Sequence, residues 1–181
     1  HLAESYRQLS AARKPSRLLG AAATIPSSWD SRSRGWVSPV RNQGGYGTCW
    51  AFAALASLEA AVLKATNGAV TNDFSENHLA ANDVFTRGFD DGGNNDMATA
   101  LLASWRDPLY EADDPYPDKS SKVSLPAVCH VQQAVWLPAR EVGHWSSAQA
   151  VAAANVDIQR QIMANGAVAV GYYHGFNHYN P

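Results

Sequence analysis

The sequence predicts an α+β fold of two lobes, and three observations carry that expectation. A long segment beginning at Cys49 is apolar on nearly every face, two further helical segments follow it over short connections, and from Pro108 onward prolines divide the chain into short strand-like pieces. The helical lobe is expected over about residues 36–107, facing a strand-rich lobe over about 108–181.

Size and composition fit this picture. A chain of 181 residues suits one domain, or two lobes sharing an interface, and 46% hydrophobic residues fill a sizeable core. Fourteen basic residues against sixteen acidic give a net charge of -2, with no lysine or arginine block to neutralise phosphates or anionic lipid. Nucleic acid and membrane surfaces are therefore not expected partners. The most apolar stretch, Trp50 to Leu63, is interrupted by Ser57 and Glu59 and is shorter than the roughly 20 residues of a spanning helix. It reads as a buried helix.

Residues 1–24 mix arginine, serine and alanine and are expected to be an extension, linker or prosegment remnant. No charged segment followed by an apolar run opens the chain, so a signal peptide is expected to be absent or already removed. A loop-rich segment with Trp29, Trp36 and Pro39 leads to the turn Gly44-Gly45-Tyr46-Gly47, which delivers the chain into a helix over about Cys49–Ala65. Gly68 follows its end. A second helix is expected from an N-cap at Ser75 to about Phe85, and a third from Asn95 or Asp96, carrying Met97, Leu101, Leu102 and Trp105 and stopping by Pro108. Beyond it, Ala134–Leu137 and Ala167–Tyr173 read as strands, and Asp157 is expected to cap a short helix to Ala164 that Gly166 ends.

The chemistry concentrates in Gln43 to Phe52, which reads Gln-Gly-Gly-Tyr-Gly-Thr-Cys-Trp-Ala-Phe and puts Cys49 in the first turn of the buried helix. Unpaired N–H groups and the helix dipole favour an anion there, so a thiolate is stabilised and made nucleophilic. The same N–H groups, with the Gln43 side-chain amide, can hold the oxyanion of a tetrahedral intermediate.

These residues resemble the papain family of cysteine peptidases, whose signature runs from a glutamine through a glycine-rich turn to Cys-Trp-Ala-Phe. Five more segments are similar, in the same order: Ile25–Asp30, Val37–Gln43, Phe74-Ser75-Glu76, Gly92-Gly93 and Gly166–Val170. The resemblance covers about residues 25–175 and is nearest to bacterial members with a lectin-like extension, on the Gly92-Gly93-Asn94 turn and the segment Trp105–Tyr116. It implies a papain-like fold with the cleft opening at Cys49, and hydrolysis of peptide bonds through an acyl-enzyme with Cys49 as nucleophile and Gln43 in the oxyanion hole. It also implies substrate contact by Gly92, Gly93 and Trp50, a polypeptide substrate, no metal or organic cofactor, and a secreted, cell-surface or periplasmic location. The two cysteines, Cys49 and Cys129, allow at most one disulfide and by themselves leave the compartment open.

The sequence departs from the family pattern in several places. Tyr46 stands where a half-cystine is usual, and the neighbourhood of Asp91, where its partner would lie, has no cysteine either. Thr48 replaces a serine and Ala167 a proline. His174 and His178 fall near the expected spacing for the partner imidazole, but neither has the local pattern of histidine, small residue, hydrophobic strand and glycine. The histidine and its orienting asparagine are expected beyond Pro181, supplied by a C-terminal segment or a separate chain. A catalytically inactive papain-like scaffold that binds a partner is the alternative.

Other residues have plainer readings. Gly92 and Gly93 form either a turn or a substrate contact, and Trp50 serves packing first and walls the site second. Cys129 beside His130 is a plain thiol rather than a metal site, His78 a helix-surface histidine, and the pairs Asp90/Asp91 and Asp113/Asp114 solvated turns.

Overall fold

Seventeen residues from Cys49 to Ala65 form helix α1, the element around which the others gather. From Trp50 to Lys64 no residue of α1 is exposed, as its all-round apolar sequence requires. Three helices pack against it: α2 (Glu76–Ala80), α3 (Asn95–Ala103) and α4 (Ala148–Asn165). The computed structural model describes residues 24–81, 84–120, 124–137 and 148–171. One core cluster joins Trp50, Ala51 and Leu55 of α1 to Phe74, Leu79, Ala98, Leu101 and Leu102.

The N-caps explain where α2 and α3 begin. Ser75 Oγ accepts from the His78 N–H at 2.9 Å, and Asn94 Oδ1 accepts from the Met97 N–H at 2.9 Å. Helix α2 stops at Ala80, short of the expected Phe85, where the sequence turns to Asn82-Asp83, residue types that compete with helical hydrogen bonds. Helix α3 ends at Ala103; Trp105, expected within it, follows with a left-handed φ of 62° and stacks on His130.

Helix α4 corrects the expectation that Asp157 caps a short helix. The helix begins at Ala148, and Asp157 lies inside it, 3.6 Å from Arg160 Nη1. Alanines at 148, 150 and 152–154 carry enough helix propensity to extend the element upstream of the aspartate. Gly166 does end it, at a φ of 91°. A Cβ there would sit 2.9 Å from the Ala60 carbonyl oxygen and 3.0 Å from that of Trp36, so only glycine lets the chain leave α4 across the backbone of α1.

The strand-rich lobe is not seen among the described residues. Residues 134–137 and 167–171, expected as strands, have extended or irregular backbone without a ladder to a described neighbour. A strand is defined by pairing, and alternating apolar residues alone do not supply the partner. Residues 172 and 173, the end of the second expected strand, lie outside the described residues, as does the 1–23 part of the expected extension. The one β-bridge described is antiparallel, between Phe74 and Tyr110, with the Glu111 N–H donating to Asp73 O at 2.8 Å. It ties the segment after α3 to the start of α2.

A partly buried ionic network locks the approach to the site onto α1. Arg41 Nη1 lies 2.9 Å from Glu59 Oε2 and 3.3 Å from Glu76 Oε1, while its Nη2 lies 2.6 Å from Asp73 Oδ1. Glu59 and Glu76 are 1% and 2% exposed, and the second oxygen of Glu59 accepts the Phe74 N–H at 2.9 Å. Burial, opposed by Arg41, raises the Glu76 carboxyl from 4.5 to about 7. The folded state thus holds this proton more tightly than the unfolded chain. The stabilisation is complete below about pH 4.5 and is lost as pH rises through about 7. Glu111, also raised by burial, acts in the same direction. The thermal midpoint is expected to fall between pH 5 and pH 7.5 on account of these groups, and Glu76→Gln to flatten that slope. Equal slopes for the two proteins in a pH series of thermal melts would contradict the assignment.

Candidate active site

The site is built from two loops meeting at the N-terminus of α1. The first, 43–48, ends at Thr48, the N-cap residue, which is fully buried, and places Cys49 exposed at the first helical position. Thr48 does not cap with its side chain, although threonine commonly does. Its hydroxyl is instead 2.7 Å from Tyr116 Oη, leaving the Cys49 and Trp50 N–H groups uncapped by it. These are the donors that can face a developing negative charge.

Gln43 is held in place from its own turn. Its side-chain Nε2 donates to Tyr46 O at 2.7 Å, which uses one of two amide hydrogens. Its backbone carbonyl accepts from Tyr116 Oη at 2.7 Å. Gly44, with φ of 66°, supplies the left-handed residue that the turn needs.

The second loop, 88–93, presses against the first. Gly47 N–H donates to Asp90 Oδ1 at 2.5 Å, and a Cβ on Gly47 would come within 2.6 Å of the Asp90 carbonyl oxygen. Asp90 is therefore a tie between the loops rather than merely part of a solvated turn. The Tyr46 ring packs edge-on against Phe89 at 5.6 Å between centroids, so aromatic contact and a hydrogen bond join the regions where family resemblance suggests a disulfide. Both cysteines are free.

Gly93 lies over Trp50: a Cβ at Gly93 would fall 2.4 Å from the indole, so glycine is needed for packing there. Gly92 takes φ of 74°, and a Cβ on it would meet nothing within 4 Å. Gly92 thus serves the turn, and its carbonyl oxygen accepts from Arg87 Nη1 at 3.3 Å. Trp50 itself is 5% exposed and belongs to the core cluster, so it forms the floor beneath Gly93.

Several residues sit differently from their sequence readings. His78 is not on the surface: all five residues of α2 are buried, and its Nδ1 pairs with the buried Asp107 at 2.5 Å. Asp114 is likewise buried, accepting from Asn77 Nδ2 at 2.8 Å. In both cases the segment following α3 folds back over α2, a long-range contact that local composition does not reveal. Burial pushes the Cys129 thiol up to about 11, which disfavours its thiolate at neutral pH. No group of three or more potential metal ligands occurs among the described residues. His174 and His178 lie outside the described residues.

Tyr116 and Arg41 were not singled out by the sequence, and Asp90 was read only as part of a solvated turn. Glu59 was visible as a break in an apolar helix, and a carboxylate so placed requires a buried cation.

A family model for papain family cysteine proteases matches residues 25–180. The chain belongs to the papain family of cysteine proteases. Cysteine proteinase 2 of Leishmania pifanoi is 28% identical over 173 residues, covering 94% of this chain and 35% of the relative. The solved structure of digestive procathepsin L2 proteinase from Tenebrio molitor larval midgut is 30% identical, with a TM-score of 0.51 over 57% of this chain and 32% of that one. The cysteine protease and lectin-like domains of Cwp84, a surface layer associated protein of Clostridium difficile, are 30% identical with a TM-score of 0.46, over 55% of this chain and 22% of that one. The papain-family chain thus spans about a third or less of the length of each of these relatives.

Proposed function

We propose that the protein containing this chain is a cysteine endopeptidase that cleaves polypeptides through an acyl-enzyme on Cys49. The observation that carries this reading is Cys49 itself, exposed at the first position of an otherwise enclosed helix, with Gln43 held in the adjoining turn. Cys49 Sγ attacks the scissile carbonyl carbon, and the carbonyl π electrons move to oxygen, which the Cys49 N–H and the Gln43 side-chain amide stabilise. Collapse expels the amine, which takes its proton from an imidazolium, and water then hydrolyses the thioester. The imidazole comes from a histidine beyond Pro181, because His174 and His178 lack the family's local pattern. His78 is buried against Asp107 and is not that base.

The strand-rich lobe facing the helices, substrate backbone contact at Gly92 and Gly93 above Trp50, and a bacterial, secreted or surface-associated setting complete this reading. No helix among the described residues is long and apolar enough to cross a membrane. An inactive binding scaffold is the competing reading, and the reactivity of Cys49 separates the two. With iodoacetamide at pH 5.5, Cys49 is expected to alkylate at least ~100-fold faster than free cysteine under the same conditions, as peptide mapping over time will show. A rate comparable to that of free cysteine would favour the scaffold.

A further inference from the structure

We infer that Tyr116 is a positioning residue for peptide hydrolysis, its phenol fixing the nucleophile and the oxyanion-hole glutamine relative to one another. The role rests on the peptidase reading above. The hydrogen-bond directions follow from the atoms available. The Gln43 carbonyl oxygen can only accept, so Tyr116 Oη spends its one hydrogen on it at 2.7 Å. The Thr48 hydroxyl, 2.7 Å away, must then be the donor to Tyr116 Oη. One phenol therefore holds the backbone of Gln43 and the residue preceding Cys49, clasping the turn at both ends.

The tyrosine is itself immobilised. Its ring meets Phe52 of α1 edge-on at 4.9 Å and also packs on Phe89 at 5.7 Å and Tyr46 at 6.3 Å. Its N–H donates to Glu111 Oε1 at 2.8 Å. The hydroxyl thus references the turn to α1, to the 88–93 loop and to the segment after α3. It also draws the Thr48 hydroxyl away from capping α1. Oxyanion donors act only when placed where charge develops, and small displacements cost rate rather than substrate affinity.

The test uses the full-length protein, with Tyr116→Phe, which keeps the ring, and Thr48→Ser, which keeps the donor. For Tyr116→Phe, kcat is expected to fall about 10-fold with KM within about 2-fold. Affinity for a peptide aldehyde, whose hemithioacetal oxygen occupies the oxyanion position, should weaken by about the same 10-fold factor. Alkylation of Cys49 by iodoacetamide, which needs no oxyanion hole, should stay within about 2-fold. Thr48→Ser should keep kcat within about 2-fold, and Thr48→Val added to Tyr116→Phe should cost little more, because the hydroxyl it removes has already lost its acceptor. Unchanged kcat in Tyr116→Phe, or a parallel fall in kcat, aldehyde affinity and alkylation rate, overturns the positioning role. A wild-type protein that neither hydrolyses peptides nor binds the aldehyde overturns the peptidase reading instead, and with it this role.

Discussion

Replacing Cys49 by alanine is expected to remove peptide hydrolysis while leaving the fold intact. In the acyl-enzyme scheme no other described group can take the carbonyl, so kcat should drop by ~10⁴-fold or more. Cys49 is exposed at the first position of α1 and alanine is a strong helix former, so stability should change by no more than about 0.5 kcal/mol. The control is Cys129→Ala. Cys129 packs against the core cluster and its thiol is held protonated, so that substitution should cost some stability and leave turnover near wild type. Paired turnover assays and thermal melts on the two variants check this. Substantial residual hydrolysis in Cys49→Ala would remove the nucleophile assignment.

Arg41→Met should have the largest effect on stability. The guanidinium neutralises Glu59, whose side chain has no exposed surface, and reaches Glu76 and Asp73 as well. Methionine fills much of the same volume but leaves the carboxylates without a cation, and removal of one partner from a buried pair costs about 3–5 kcal/mol. The mechanism is desolvation without compensation, which separates this site from exposed pairs such as Arg32–Asp30, where little is at stake. Arg41 precedes Gln43 by two residues, while Glu59 sits on α1, so the loss should also loosen the site and lower activity. Urea unfolding of the variant measures the change, and a loss below about 1 kcal/mol would show that Glu59 is neutralised in another way.

The sequence revealed most of what is local and little of what is folded over. Helix α1 begins and ends where its apolar run does, the cap at Ser75 was readable as a polar side chain bonding three residues ahead, and the start of α3 at Asn95 was among the two expected. Cys49 was legible from its neighbours and Gly166 from its place after a helix. The start of α4 was missed because a plausible cap, Asp157, lay inside an alanine-rich segment that continues the helix past it. His78, Asp114 and Tyr116 were out of reach for a different reason. Their partners are Asp107, Asn77, Gln43 and Thr48, between 29 and 73 residues away. No periodicity reports which remote segment covers a short helix or a turn. The strand readings are not confirmed among the described residues, since pairing is a property of two segments.

The central claim is that Cys49 forms a covalent acyl intermediate, and trapping that intermediate tests it most directly. The full-length protein would be mixed with an activated peptide ester, quenched in acid within milliseconds to seconds, and digested for mass spectrometry. The account predicts a burst of released alcohol approaching one equivalent per active chain and an acid-stable thioester on the peptide carrying Cys49. A linear time course without a burst and no acyl mass on Cys49, or an adduct carried by Cys129, would contradict it.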